Sequence, residues 1–489
     1  MYRCFLIAVV ILFTTAFCDA LSVNSGSVSS PNDTSTSGDT PKLHICDICQ
    51  CTADTVNCSG RQLGHHFENS LWPVTPLQLV TFEDNSIVHL KPFPNVTINK
   101  LILRYNKINK IDDKIFKEIR NLSQIDLSHN LISSDVLKPE TFQGSFSETE
   151  WNPLPNLKVL NLGHNELHSL NQDLFVHIRD LEVLILNGNP LQVIDHPTLS
   201  ALSSLTYLKE LCLESCGLDS LPHYMLHTHK PFLKKLYLNG NRFSSIPTTL
   251  EEATALEYLN LDENPFVIID QSNGFPKLPA LKQLRICSTQ DLIEIGPGAF
   301  SKLISLEELY LCNNPRLKHI DEDALVFHGP NGAIWPPIKK LDISNNALKY
   351  LPANLLLGRW GKLEKLSLTN NDWSCDCENQ YLIGTLIPNL GKTLMPDDLG
   401  KLFCSAPPEH AGKNLTSLSH RKLRCLDLYG ARPERDAAIL VGVLIGLLLA
   451  LPLGLILFLL WRRGFFFCGP QTPASFSRAF YKRTANDES

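Results

Sequence analysis

Apolar residues return along most of this chain in one spacing. Between residues 77 and 373 the order Leu-x-x-Leu-x-Leu-x-x-Asn recurs, as in Leu157, Leu160, Leu162 and Asn165, followed by Leu167. Leu181, Leu184, Leu186, Asn189 and Leu191 repeat it, as do Leu256, Leu259, Leu261, Asn264 and Phe266. Each Leu-x-Leu pair alternates sides, which predicts a short strand with its leucines on one face. A unit this small cannot cover its own leucines and must stack on its neighbours. The pattern therefore predicts an elongated α/β solenoid with a parallel sheet on the concave face.

The polar member of the pattern is as regular as the leucines. Asparagine ends the motif at 85, 106, 130, 165, 189, 241, 264, 314, 346 and 371, and Cys216 and Thr289 take its place in two further units. That makes about twelve units, most of them 21 to 27 residues apart. The asparagine is expected to face inward, its amide satisfying the backbone of adjoining turns, and Cys216 in its place predicts a buried, inert thiol. Return segments such as Ile111–Ile119 and Ile295–Phe300 predict a mostly irregular convex side with few helices. Two steps are long, 35 residues from Asn130 to Asn165 and 32 from Asn314 to Asn346. The surplus falls near Lys138–Pro155, with Phe142, Phe146 and Trp151, and near His328–Pro337, with Trp335. These segments read either as binding loops or as solvated excursions from the convex edge.

Residues lying between the leucines point to the concave side. Glu214, Tyr237, Tyr258, Asp262, Glu263, Arg285 and Tyr310 fall there in neighbouring units, a mixture of tyrosine, arginine and carboxylate suited to binding a partner. Cys287 and Cys312 share one concave position in adjacent units, where strands about 4.8 Å apart allow a lateral disulfide or leave two free thiols. Cys212 is expected to point outward without a partner. His129 and His164 stand beside the asparagine in consecutive units, which reads as a product of the repeat and not as a metal pair. No cofactor, metal site or catalytic motif is expected.

The ends of the chain place the array. Residues 1–20 have the positive start, apolar stretch and small residues of a secretory signal peptide. Ala437–Trp461 runs 25 residues without a charge, about 37 Å as a helix and enough to cross a bilayer. Arg462 and Arg463 follow it, which puts the N-terminus outside the cell. Sequons begin at Asn32, Asn57, Asn95, Asn121 and Asn414, all ahead of this segment. A net charge of −6 over 489 residues lacks the basic stripe that nucleic-acid binding requires. The tail is basic, and Cys468 near the membrane is a candidate for palmitoylation.

Of the fifteen cysteines, two groups of four flank the array. Cys46, Cys49, Cys51 and Cys58 precede it, and Cys375, Cys377, Cys404 and Cys425 follow it. Outside the cell they read as disulfide-bonded caps over the exposed end repeats, and spacing alone permits three connectivities in each. The first group resembles the N-terminal cap of extracellular leucine-rich-repeat proteins. Asn371-Asp372-Trp373-Ser374-Cys375-Asp376-Cys377 resembles the Asn-Pro-Trp-x-Cys-x-Cys opening of their C-terminal cap, with Asp372 in place of proline. The resemblance implies Cys46–Cys51, Cys49–Cys58, Cys375–Cys404 and Cys377–Cys425.

The chain is thus expected to comprise a signal peptide (1–20), disordered leader (21–45), N-terminal cap (46–76), leucine-rich-repeat array (77–370), C-terminal cap (371–426), juxtamembrane linker (427–436), transmembrane helix (437–461) and cytoplasmic tail (462–489). It resembles single-pass type I plasma-membrane members of that family, and in layout the trophoblast-glycoprotein type, which implies Wnt-pathway modulation. The expected function is binding of an extracellular protein ligand or receptor, as an adhesion molecule or co-receptor. The alternative is a homophilic or matrix-binding scaffold, with a homodimer allowed.

Overall fold

The structure is a computed structural model, and it describes residues 43–146, 151–152, 154, 156–229, 231–330, 332–425 and 433–463. One parallel sheet dominates. From Leu77–Thr81 to Lys365–Ser367, a short strand from each turn pairs with its neighbour in unbroken sequence order. The register places leucine beside leucine: Leu160 pairs with Leu184, Leu184 with Leu211, Leu211 with Leu236, and Leu236 with Leu259. These side chains are buried on one face, so stacking supplies the apolar cover that a single unit lacks.

The asparagines stitch successive turns together. Asn241 Nδ2 donates to Leu213 O at 2.8 Å and Leu238 O at 2.9 Å, while its Oδ1 accepts from Cys216 N at 3.1 Å and Leu218 N at 3.0 Å. Asn85, Asn130 and Asn264 repeat the arrangement. The residue before each asparagine turns into the left-handed region, from Asp84 at φ 55° to Asn370 at φ 55°. Glycine fills that position twice, and a Cβ on Gly188 would lie 2.4 Å from His164 Nδ1.

The convex side holds short pieces. One α-helix, His196–Ser203, starts where Asp195 accepts from Thr198 N and Pro197 enters the first turn. Elsewhere there are 3-10 turns and a minor parallel ladder of Ile268–Ile269, Glu294–Ile295 and His319–Ile320. Phenylalanines fill the space behind the sheet. Phe93, Phe116 and Phe142 stack with centroids 6.1 Å apart at each step. Phe142, expected in the long excursion, is instead fully buried in this stack. The convex core needs a large apolar side chain at every turn, and the excursion only begins after it. That excursion contains an antiparallel pair, Ser145–Phe146 with Trp151–Asn152. The second contains another, Phe327–Gly329 with Gly332–Ile334, and the Trp335 beside it packs partly against the core under Arg359.

Disulfides close both ends. Cys46 is bonded to Cys51 and Cys49 to Cys58 at one end, and Cys375 to Cys404 and Cys377 to Cys425 at the other. In the second cap Trp373 is buried and donates from Nε1 to Leu368 O at 2.9 Å, sealing the last strand. Farther on, Pro433–Arg462 is a single helix, and by length and composition Ala437–Arg462 suffices to cross a membrane.

Candidate concave recognition surface

Three rows of side chains line the concave face, one from each outward position of the strand. In the central row Cys212, Tyr237, Asn260, Arg285, Tyr310 and Asp342 are register neighbours in successive strands. Tyr258 belongs to the row before, beside Lys235 and Gln283. Glu214 and Asp262 follow the strands on the loop side, and Glu263 adopts the left-handed turn at φ 57°. The seven residues expected to form a patch therefore do lie in neighbouring turns.

They also touch. Tyr237 and Tyr258 rings meet with centroids 5.0 Å apart. Arg285 donates from Nε to Asp262 Oδ2 at 3.0 Å and lays its guanidinium over the Tyr310 ring at 5.0 Å. Asp262 Oδ1 accepts from Cys287 N at 2.6 Å, so one carboxylate holds both the arginine and the next strand. Tyr310 donates its hydroxyl to Glu308 Oε2 at 2.9 Å, and Lys340 meets the same carboxylate at 2.8 Å. Burial and the nearby Glu210 push the Tyr237 hydroxyl up to about 12, so it stays protonated at neutral pH. The tyrosines are half-buried and braced, which lowers the entropic cost of presenting them.

Beside this patch, on the outer edge of the sheet, runs a rail of alternating charge that motif reading missed. Glu182 lies between Lys158 and Lys209, Glu257 between Lys234 and Lys282, and Glu307 meets Lys339. Its two lysines hold the Glu257 carboxyl at about 2. The signal was present in the sequence from Lys158 to Glu364, as the residue after the first leucine or isoleucine of each unit, where a Lys or a Glu stands every time.

Cys287 and Cys312 are joined by a disulfide across adjacent strands, with Cα atoms 4.6 Å apart. Cys212 takes the outward position expected of it and is a free thiol, but its neighbours cover it. It is 9% exposed, because Ile185 and Tyr237 flank it in the central row and cover a small side chain. Burial pushes its thiol up to about 11 and that of Cys216 to about 12. Cys216 replaces the asparagine amide weakly, its Sγ lying 3.3 Å from Leu186 O. Thr289 is too short to do so, and its hydroxyl is buried without a partner among the described residues.

His129 and His164 stack at 4.1 Å, and Tyr105 continues the stack at 4.2 Å. Parallel rings do not converge on an ion, and Asn187 occupies His164 Nε2 at 2.9 Å. Among the described residues no group of three or more His, Cys, Asp or Glu is placed to hold a metal. Of the sequons, Asn57, Asn95 and Asn121 are exposed, whereas Asn414 caps a 3-10 turn and donates to Gly400 O at 2.9 Å. Asn32 and Cys468 lie outside the described residues, as do the segments expected to be the signal peptide and most of the leader and tail.

A solenoid of stacked strand-and-asparagine turns between disulfide caps is the leucine-rich-repeat fold, and this chain has it. The family model described as leucine rich repeat matches residues 97–145, 155–209 and 279–327. Among its relatives, Tsukushi of Gallus gallus is 30% identical over 260 residues, 53% of this chain and 58% of that protein. Osteomodulin of Bos taurus is 31% identical over 46% of this chain and 54% of its own, and podocan of Mus musculus 27% identical over 72% and 59%. The chain thus spans rather more than half the length of these relatives. Among solved structures, a chain from the octameric complex of Latrophilin 3, Unc5D and FLRT2 shares the fold. It has a TM-score of 0.50 and 20% identity, and the match covers 75% of this chain and 96% of that one.

Proposed function

We propose that this protein is a cell-surface recognition molecule that binds an extracellular protein through its concave face. It is displayed by one membrane-crossing helix with the array outside, in the type I orientation given by Arg462 and Arg463. The observation that carries this reading is the contiguous group Tyr237, Tyr258, Arg285 and Tyr310, braced by Asp262 and Glu308. Tyrosine and arginine held rigid on an accessible face are the side chains that dominate protein interfaces.

The distribution of sequons supports the same face. Residues 124–413 contain none. Asn57 pairs with Thr81 at the first end of the central row, so a glycan there would occupy that end and leave the tyrosine patch open. Adhesion and co-receptor action, including modulation of Wnt signalling implied by the layout, are the finer readings of this role.

The test uses the full chain on transfected cells, screened against an arrayed set of secreted and receptor ectodomains. Replacing Tyr237, Tyr258 and Tyr310 together by Ala is expected to weaken a captured ligand at least about tenfold, with surface display unchanged. Unchanged binding by the displayed variant would sink the concave reading. Aggregation of otherwise non-adherent transfected cells, with no ligand captured, would favour a homophilic scaffold instead.

A further inference from the structure

The last stretch of the C-terminal cap carries positive charge that nothing nearby neutralises. From His410 to Leu426 the chain has four Lys or Arg residues and no acid, and three of the four fall together in His420-Arg421-Lys422-Leu423-Arg424. Arg421, Lys422 and Arg424 are exposed, and none of them has an ion-pair partner among the described residues. Glu378, beside Cys377, pairs with none of the three. On the outer rail of the array, by contrast, Lys209, Lys282 and Lys339 are each matched to a glutamate.

The backbone that carries these cations is held in place. Leu423 is buried in the cap, and its N donates to Gln380 Oε1 at 2.8 Å. Gln380 Nε2 donates to Arg421 O at 3.3 Å, Cys377 N donates to Arg424 O at 3.2 Å, and Cys425 is bonded to Cys377. With Leu423 turned inward, Lys422 and Arg424 on either side of it turn outward. The three cations thus stand on a fixed segment about 10 Å long, so little freedom is lost when an anion engages them. Cys425 and Pro433 are eight positions apart. That keeps the segment within about 28 Å of the start of the apolar helix.

We infer that this segment binds a sulfated glycosaminoglycan at the outer face of the cell. The ligand is anionic because three cations are left over, and guanidinium forks match the paired oxygens of a sulfate. A Lys/Arg-rich run of this length is also the sequence pattern of a polyanion site. Phospholipid is the other anion close at hand. Anionic lipids, however, populate the cytoplasmic leaflet, and disulfide-bonded caps belong to the opposite, oxidising side. Nucleic acid is excluded by the same placement. The inference rests on the type I reading of the chain and uses none of the concave residues.

The full chain in nanodiscs of neutral phosphatidylcholine, passed over immobilised heparin, tests it. Binding is expected on heparin, weakening with added salt, and is expected to vanish on chemically desulfated heparin. The Arg421→Gln, Lys422→Gln, Arg424→Gln triple variant should bind at least about tenfold more weakly. The Lys107→Gln, Lys110→Gln, Lys114→Gln variant should bind as the unaltered chain does, because it removes three exposed cations of the array instead. Matching melting curves establish that neither variant has unfolded. Equal losses in the two variants, no loss in the first, or equal binding to desulfated heparin overturn the proposal. So does tighter capture of anionic phospholipid vesicles through the same three residues, which would make the segment a membrane contact. An antibody to the array tests the premise separately. If it stains transfected cells only after permeabilisation, the type I reading fails and the proposal with it. A chain displayed on intact cells that ignores heparin overturns the proposal alone.

Discussion

His66 shows what a single buried side chain can impose on this molecule. It is fully buried in the N-terminal cap, its ring against Phe93, and Nε2 lies 2.9 Å from Lys91 O. Burial lowers it to about 4 from the ordinary 6.5. Between those values the unfolded chain binds a proton that the folded chain refuses, so stability is complete above pH 6.5 and is lost as pH falls toward 4. Urea unfolding at pH 7.5 and pH 5 should differ by about 2 kcal/mol from this group. Replacing His66 by Gln should remove that part of the difference, and an unaltered pH dependence would rule the residue out. Cys212 and Cys216 make a related point. Their burial and raised thiols follow from what sits beside them, which a residue's place in the motif does not state.

At the scale of the element, the joint between one turn and the next is the unit of cohesion. Each strand contributes only a few backbone bonds to its neighbour, and the asparagine adds contacts spanning adjacent turns. Asn241→Ala would strand the carbonyls of Leu213 and Leu238 and the amides of Cys216 and Leu218, all in buried surroundings. The expected loss is about 2–4 kcal/mol, more than one ordinary hydrogen bond, because the abandoned partners stay desolvated. Equilibrium denaturation followed by tryptophan fluorescence measures it; a loss below about 1 kcal/mol would mean that water replaces the amide. The same reasoning explains why Cys216 and Thr289 sit between units with intact asparagines. Asn241 and Asn314 reach back to their backbone amides, at 3.1 Å and 2.7 Å.

For the whole molecule, the stack has two ends, and each needs a cover. The last strand offers Leu366 and Leu368, which are buried with Trp373 and the C-terminal cap in place. Deleting residues 372–425 would return that surface to water at about 25 cal/mol per Å² and leave a template for further stacking. We expect the shortened chain to be retained inside transfected cells and to aggregate. Surface display at the level of the intact chain would show that the cap is dispensable.

The sequence by itself determined the scaffold. Leucine spacing specified strand, stacking direction and turn number, because a repeated unit with one uncovered face admits few solutions. Asparagine positions marked the inward turns, and the segment from Ala437 marked the membrane-compatible helix by its length and apolar composition. The concave rows were legible as positions, since alternation along a strand decides which side chains share a face. Tertiary structure decided the rest. The Glu–Lys rail, the arginine braced over Tyr310 and the burial of Cys212 and Phe142 depend on residues more than twenty positions apart brought side by side. A local pattern specifies where a side chain points; only the stacked neighbour specifies what it meets.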